Sequence, residues 1–221
     1  MPESEIGLGR EEAYVAATFR ALADAIVPPV WKRTAADVTY IPGGVQRCAD
    51  QYVRLELDAS QFVPANGEGE RPPRLSWSSA KLLDAAADEL IRRGAAQFAG
   101  APQHVPGGGS FAALSRVDRL QALALLDRNE LPQHRLPPPF KDNGVSILVM
   151  ANSFFQLTIF GYYSEWLGYG TTRLSRREER RMECFPPGWS LAGYPGPSSG
   201  YRDLRGFEIG EPLSKGGDSD G

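Results

Sequence analysis

The stretch Gly144-Val145-Ser146-Ile147-Leu148-Val149-Met150-Ala151-Asn152-Ser153-Phe154-Phe155-Gln156-Leu157-Thr158-Ile159-Phe160-Gly161-Tyr162-Tyr163 decides the fold. Its apolar run, Val145 to Gly161, is the most hydrophobic in the chain, is short for a membrane span, and carries Asn152, Ser153 and Gln156. A helix apolar nearly all round is expected at the centre of a soluble bundle. Its core residues would be Ile147, Leu148, Met150, Phe154 and Leu157, and no membrane insertion is expected.

Four further helices are predicted upstream. Val15, Phe19, Leu22 and Ile26 recur at helical spacing over about 11–27, and Pro28-Pro29 stops that helix. After the break at Pro42-Gly43-Gly44, a second helix is expected with Val45, Ala49, Tyr52 and Leu55 on one side. Phe62 to Pro73 reads as loop. Ser78 or Ser79 can cap a third helix running to about Phe98, with Leu82, Leu83, Ala86, Leu90 and Ile91 as its stripe. Beyond a Gly/Pro loop from Ala101 to Ser110, Ser115 can cap a fourth helix, with Asp118 at its third position. There Val117, Leu120, Leu123, Ala124 and Leu126 would face inward. Leu131 to Phe140 is proline-rich.

Downstream of Tyr163 the chain changes character. Ser164 to Gly210 is rich in Gly, Pro, Tyr, Trp and Arg, and only Ser175 to Glu183 reads as helical. No alternating strand pattern of useful length is visible. The expected architecture is all-α: about five main helices in one domain, residues 1–213, with a long ordered C-terminal loop region wrapped over it. Residues 214–221 read as a disordered tail.

Composition narrows the function classes. At 221 residues with 42% hydrophobic content, the chain can bury a core; its 24 glycines and 18 prolines ask for long loops. A formal net charge of -3 argues against general nucleic-acid or anionic-membrane binding. Cys48 and Cys184, with the distant His104 and His134, match no zinc spacing, so no metal site is expected. Free thiols in a reducing compartment are expected instead. The acidic N-terminus lacks a signal-peptide pattern, and the arginine pairs lie far inside the chain. The expected location is cytoplasmic.

No cofactor fingerprint is present. Gly107-Gly108-Gly109 lacks the Lys-Ser/Thr of a phosphate loop and reads as a turn. Gly-x-Ser-x-Gly, Gly-x-Gly-x-x-Gly and Glu-x-x-His are absent. His104 and His134 read as solvated loop residues with no partner in a known catalytic pattern. In Thr171 to Glu183, Arg173, Arg176, Arg177, Arg180 and Arg181 alternate with Glu178, Glu179 and Glu183. Intrahelical pairing on a solvated face is one reading, and a docking surface is the other. Trp189 to Pro197 interleaves aromatics with Gly and Pro, which either caps the core or faces a partner. Asp24 borders the apolar face of the first helix near its C-terminus, where the dipole disfavours a negative charge. It should have a compensating partner, such as Arg202, Arg205 or a backbone N–H of the tail; a catalytic acid or base is the sharper alternative.

Phe19-Arg20-Ala21-Leu22-Ala23-Asp24-Ala25-Ile26-Val27-Pro28, then Gly161-Tyr162-Tyr163-Ser164, Gly168-Tyr169-Gly170, Trp189 and Gly193-Tyr194-Pro195-Gly196 follow one another in order. This order resembles the gluconate 2-dehydrogenase subunit 3 family, the small subunits of flavin-dependent sugar and sugar-acid dehydrogenases. The resemblance covers the two ends of the chain. It implies a helical, non-catalytic accessory subunit or maturation partner of an FAD-dependent oxidoreductase of the glucose-methanol-choline type. This chain itself would hold no cofactor. The implied partner surface comprises Tyr162, Tyr163, Trp166, Trp189, Tyr194 and Tyr201. The alternative is a free-standing, cofactor-independent enzyme on the same scaffold, performing isomerisation, dehydration or cyclisation on a small molecule. Asp24, Tyr163, Glu165 and His134 would supply its acid-base groups.

Overall fold

The computed structural model describes residues 3–33, 37–60, 73–97 and 107–196. Its architecture is all-α apart from one small hairpin. Five main helices and one single-turn helix build it: α1 (Glu3–Ile26), α2 (Ala49–Ser60), α3 (Leu75–Arg92), the single turn α4 (Ser110–Ala113), α5 (Arg116–Asp127) and α6 (Gly144–Tyr163). A last short helix, α7 (Pro187–Ala192), lies in the C-terminal region. All six of α1 to α6 contribute to one apolar core, in which Phe19 of α1 meets Phe154 of α6 edge to face at 6.3 Å.

Several expectations are corrected. Helix α1 starts at Glu3, not near Glu11, because no proline interrupts Glu3 to Arg10. After Pro28-Pro29 the chain forms an unexpected antiparallel hairpin of β1 (Val30–Arg33) and β2 (Val38–Ile41). Trp31 pairs with Tyr40, their rings 4.8 Å apart. Both strands are mostly exposed, so no alternation of apolar and polar residues marked them.

In α2 the inward residues are Ala49, Asp50, Val53 and Leu57, with Tyr52 and Leu55 at the margin. Helix α3 begins at Leu75, and its first turn is held by Asp58 of α2. The carboxylate of Asp58 accepts from the Ser76 backbone N–H at 2.9 Å and from Ser76 Oγ at 3.0 Å. Ser78 and Ser79 are therefore buried in the helix, not capping it. The helix ends at Arg92, short of Phe98, where Gly94 turns the chain with φ +66° and Ile91 is left exposed.

Helix α5 keeps its expected cap: Ser115 accepts from the Asp118 backbone N–H at 3.1 Å. Its inward face is rotated, however. Val117 and Leu120 are exposed, while Asp118 and Arg119 are fully buried. The polar pair is drawn inward by backbone groups that need partners. Asp118 accepts from the Gln97 N–H at 3.0 Å, and Arg119 donates to the carbonyls of Phe111 and Ala112 at 3.2 and 2.8 Å.

The largest correction concerns α6. Its bounds are as expected, but it is not enclosed. Ile147, Met150, Ala151, Phe154, Thr158, Gly161 and Tyr162 face inward, chiefly against α2 and α5. The opposite face is open, and Leu148 stands on it. By length and composition alone α6 could cross a membrane, although a third of its most apolar window is buried here.

Candidate functional site

The C-terminal end of α6 and the chain that follows build the most distinctive surface of the molecule. Two aromatic side chains anchor it. Tyr162 is buried, donates to the Pro42 carbonyl at 2.7 Å, and has the Arg47 guanidinium 4.9 Å above its ring. Trp166 is buried and donates through Nε1 to the Cys48 carbonyl at 2.9 Å. Cys48 itself holds a left-handed backbone, φ 55°, in the turn that leads into α2. Residues 164–196 thus fold back on the bundle, as the ordered-loop expectation required; residues 197–213, with Tyr201, Arg202 and Arg205, and the tail 214–221 lie outside the described residues.

Ser175 to Glu183 is not a helix. Only Arg177–Glu179 makes a tight 3-10 turn, and a second such segment spans Trp166–Thr172. The arginines find acceptors elsewhere. Arg177 donates to Glu56 of α2 at 2.9 and 3.1 Å, and Arg173 to Gln51 at 2.9 Å. The loop is closed by the Gly168 carbonyl, which accepts from the N–H groups of Glu183 and Cys184. Glu183 in turn accepts from Thr171 Oγ1 and backbone N–H, which holds its carboxyl below the usual range.

Helix α7 then docks on the end of α6. Gly188 is buried there because any Cβ would stand 2.6 Å from the Tyr163 backbone. Phe185, Trp189 and Tyr194 stack edge to face, with ring centroids 5.8 and 5.0 Å apart. Tyr163, Phe185 and Tyr194 are exposed and Trp189 half-buried. These rings continue the open face of α6, where Val145 (72% exposed), Leu148 and Val149 (59%) at one end and Phe155, Ile159, Phe160 (59%) and Tyr163 at the other lie at helical spacing, with exposed Asn152 and Gln156 between them. From those exposures the α6 stripe alone presents on the order of 600 Å² of apolar surface, as large as the largest patches of ordinary monomers. The sequence reading placed the helix at the centre of the core, and of its named core residues Leu148 stands on this open face, since hydrophobic periodicity does not report which apolar face is covered.

Beside the stripe lies a cavity of about 290 Å³ between α2, the end of α6 and the Trp166–Arg180 segment. Tyr52 forms its wall, stacked on Phe160 (5.8 Å) and edge-on to Trp166 (5.4 Å). Burial, with Glu56 and Glu165 nearby, pushes the Tyr52 phenol up to about 12. Tyr169 donates to Glu165 at 3.3 Å, and burial followed by that carboxylate raises its phenol too. The Arg180 guanidinium lies 5.3 Å over the Trp166 ring. Nothing in the notation of single residues pointed to this cavity; Tyr52 and Glu56 are far in sequence from the rest.

The acid-base candidates do not gather in one place. Tyr163 and Glu165 share an open apolar hollow with Ile159, Phe160 and Trp189. Among the described residues Asp24 is held by α5; Arg202 and Arg205 lie outside them. Arg116 donates to both Asp24 carboxylate oxygens, at 2.8 and 2.7 Å, and buried Arg119 donates at 3.2 Å. His134 is exposed on a 3-10 turn, Gln133–Arg135, where its Nε2 accepts from Arg135 Nε at 3.2 Å. Its neighbours across a shallow groove are Asp88, Arg92 and Glu130. Cys48 and Cys184 are free thiols, and among the described residues no cluster of His, Cys, Asp and Glu can hold a metal ion. Gly109 packs so closely on the Asp84 carboxylate that the triple glycine serves close approach of chain segments.

Compared with family models, curated proteins and solved structures, the chain matches none.

Proposed function

We propose that this chain is a non-catalytic accessory subunit that docks on a larger protein through the open face of α6 and the aromatic cluster of Tyr163, Phe185, Trp189 and Tyr194. The observation that carries this reading is the exposed apolar stripe of α6 continued by exposed rings. A patch of this size lies at the upper end of what monomers expose, and a protein interface is built from aromatic anchors within an apolar patch. Tyr162 and Trp166 belong to the inner anchoring of this surface and do not face the partner. Following the resemblance at the two chain ends, the partner is a flavin-dependent oxidoreductase of the glucose-methanol-choline type, which would carry the FAD and the chemistry. The enzyme alternative finds less support, because Asp24 and His134 stand apart from Tyr163 and Glu165.

Affinity purification of the tagged chain from its native host, with absorbance read for flavin, tests this. A stoichiometric flavoprotein is expected in the eluate, and Val149→Glu with Ile159→Glu should remove it while leaving the melting temperature unchanged. Recovery of a lone monomer, or of the chain with membranes and no flavoprotein, overturns the reading.

A further inference from the structure

We propose that the cavity between α2 and the Trp166–Arg180 segment binds a small zwitterion carrying a methylated ammonium and a carboxylate, a molecule of the size of glycine betaine. The inference goes beyond the docking role and stands independently of it. Four charged side chains line the cavity, and they are not equivalent. Glu56 and Arg177 neutralise each other directly, at 2.9 Å. Glu165 and Arg180 have no ion pair with each other, or with any other group, among the described residues. Among the described residues the Glu165 carboxylate accepts only from the Tyr169 hydroxyl, and Arg180 donates its Nε to the Ser175 carbonyl at 3.1 Å. One carboxylate and one guanidinium therefore face the same small space with charge to spare.

A ligand that satisfies both must carry one charge of each sign. The volume of about 290 Å³ lies at the lower end of the range for small-molecule sites, which excludes nucleotides and flavins and suits a molecule of amino-acid size. The walls refine the choice. Arg180 already occupies a face of Trp166; the other rings lining the cavity are Tyr52 and Phe160, stacked on each other, and Tyr169, which hydrogen-bonds Glu165. A bare ammonium is strongly hydrated, whereas a methylated one sheds water readily and is attracted to aromatic faces. The cation would sit against these rings beside Glu165, and the carboxylate would accept from Arg180.

The test is calorimetric titration of the isolated chain with glycine betaine, and in parallel with glycine, tetramethylammonium and acetate. Betaine should bind saturably in the millimolar range or tighter and raise the melting temperature with concentration. Each half-ligand should bind at least about tenfold more weakly, and so should glycine. Glu165→Gln and Arg180→Gln should each weaken betaine by about tenfold. Phe160→Leu, at an exposed position that does not carry the core, should weaken it too while the protein stays folded. Absence of saturable binding, undiminished binding by all three variants, or binding of glycine as tight as betaine overturns the proposal. None of these readouts involves a flavoprotein, so failure here and failure of the docking role are distinguishable.

Discussion

Replacing Asp24 by Asn should cost the fold about 2–3 kcal/mol, and the reason lies in Arg119. That side chain is fully buried in the first turn of α5 and cannot reach water if its counter-charge is lost. Breaking a buried ion pair from one side costs roughly 3–5 kcal/mol when the remaining charge is left bare. Here Arg119 would keep the Phe111 and Ala112 carbonyls, which moderates the loss. Arg116 is a third exposed at its side chain, so the loss of its bidentate pair adds no more than about 1 kcal/mol. For a chain of this length, 2–3 kcal/mol corresponds to a fall of roughly 4–12 °C in melting temperature. Chemical denaturation of Asp24→Asn beside Arg116→Gln is the assay. The first should be clearly less stable and the second nearly unchanged. Equal, small effects in both would show that Arg119 does not depend on Asp24. Since the pair joins α1 to α5, truncation after residue 196 should leave the Asp24→Asn effect in full; its disappearance on truncation would refute the assignment.

Four further outcomes are expected. Gly188→Ala should loosen α7 from the end of α6, because a methyl group would meet the Tyr163 backbone; partner capture should fall while the core melts normally, and a loss of both would place Gly188 in the core instead. Gly43→Ala should be destabilising by about 3 kcal/mol in urea, since its Cβ would stand 2.5–2.6 Å from Val27 and Pro29 backbone atoms that cannot yield. Ser115→Ala should cost about 1 kcal/mol through loss of the α5 cap, a difference readable as a shift of the denaturation midpoint at constant slope. The Glu89 carboxyl is held down to about 2 by hydrogen bonds from Arg92 and Arg93. A depressed folded-state value stabilises above the unfolded-state range and is lost as pH falls toward 2, so Glu89→Gln should lower stability at neutral pH, flatten the acid limb below about pH 4.5 and converge with the parent protein toward pH 2. An identical acid limb in the variant would count against it.

Local chemistry legible in single residues carried over directly. The bounds of α6, the Ser115 cap and the stop at Pro28-Pro29 depend on neighbours within a few positions, which a linear reading contains. That Asp24 needs a partner also followed locally, from its place at a helix end beside an apolar face. Which partner could not follow, because Arg116 and Arg119 reach it only once α1 and α5 are packed together. The rotated face of α5 has the same origin: Asp118 turns inward for the Gln97 N–H, 21 positions away, and Arg119 for the carbonyls of the preceding α4 turn and for Asp24. Arginines of the 173–181 stretch likewise left the expected helix for acceptors on α2. The open face of α6 states the limit most clearly. Periodicity identifies an apolar surface, but whether that surface is covered depends on how many helices pack around it, and only the tertiary arrangement leaves Val145, Val149 and Phe160 in the open.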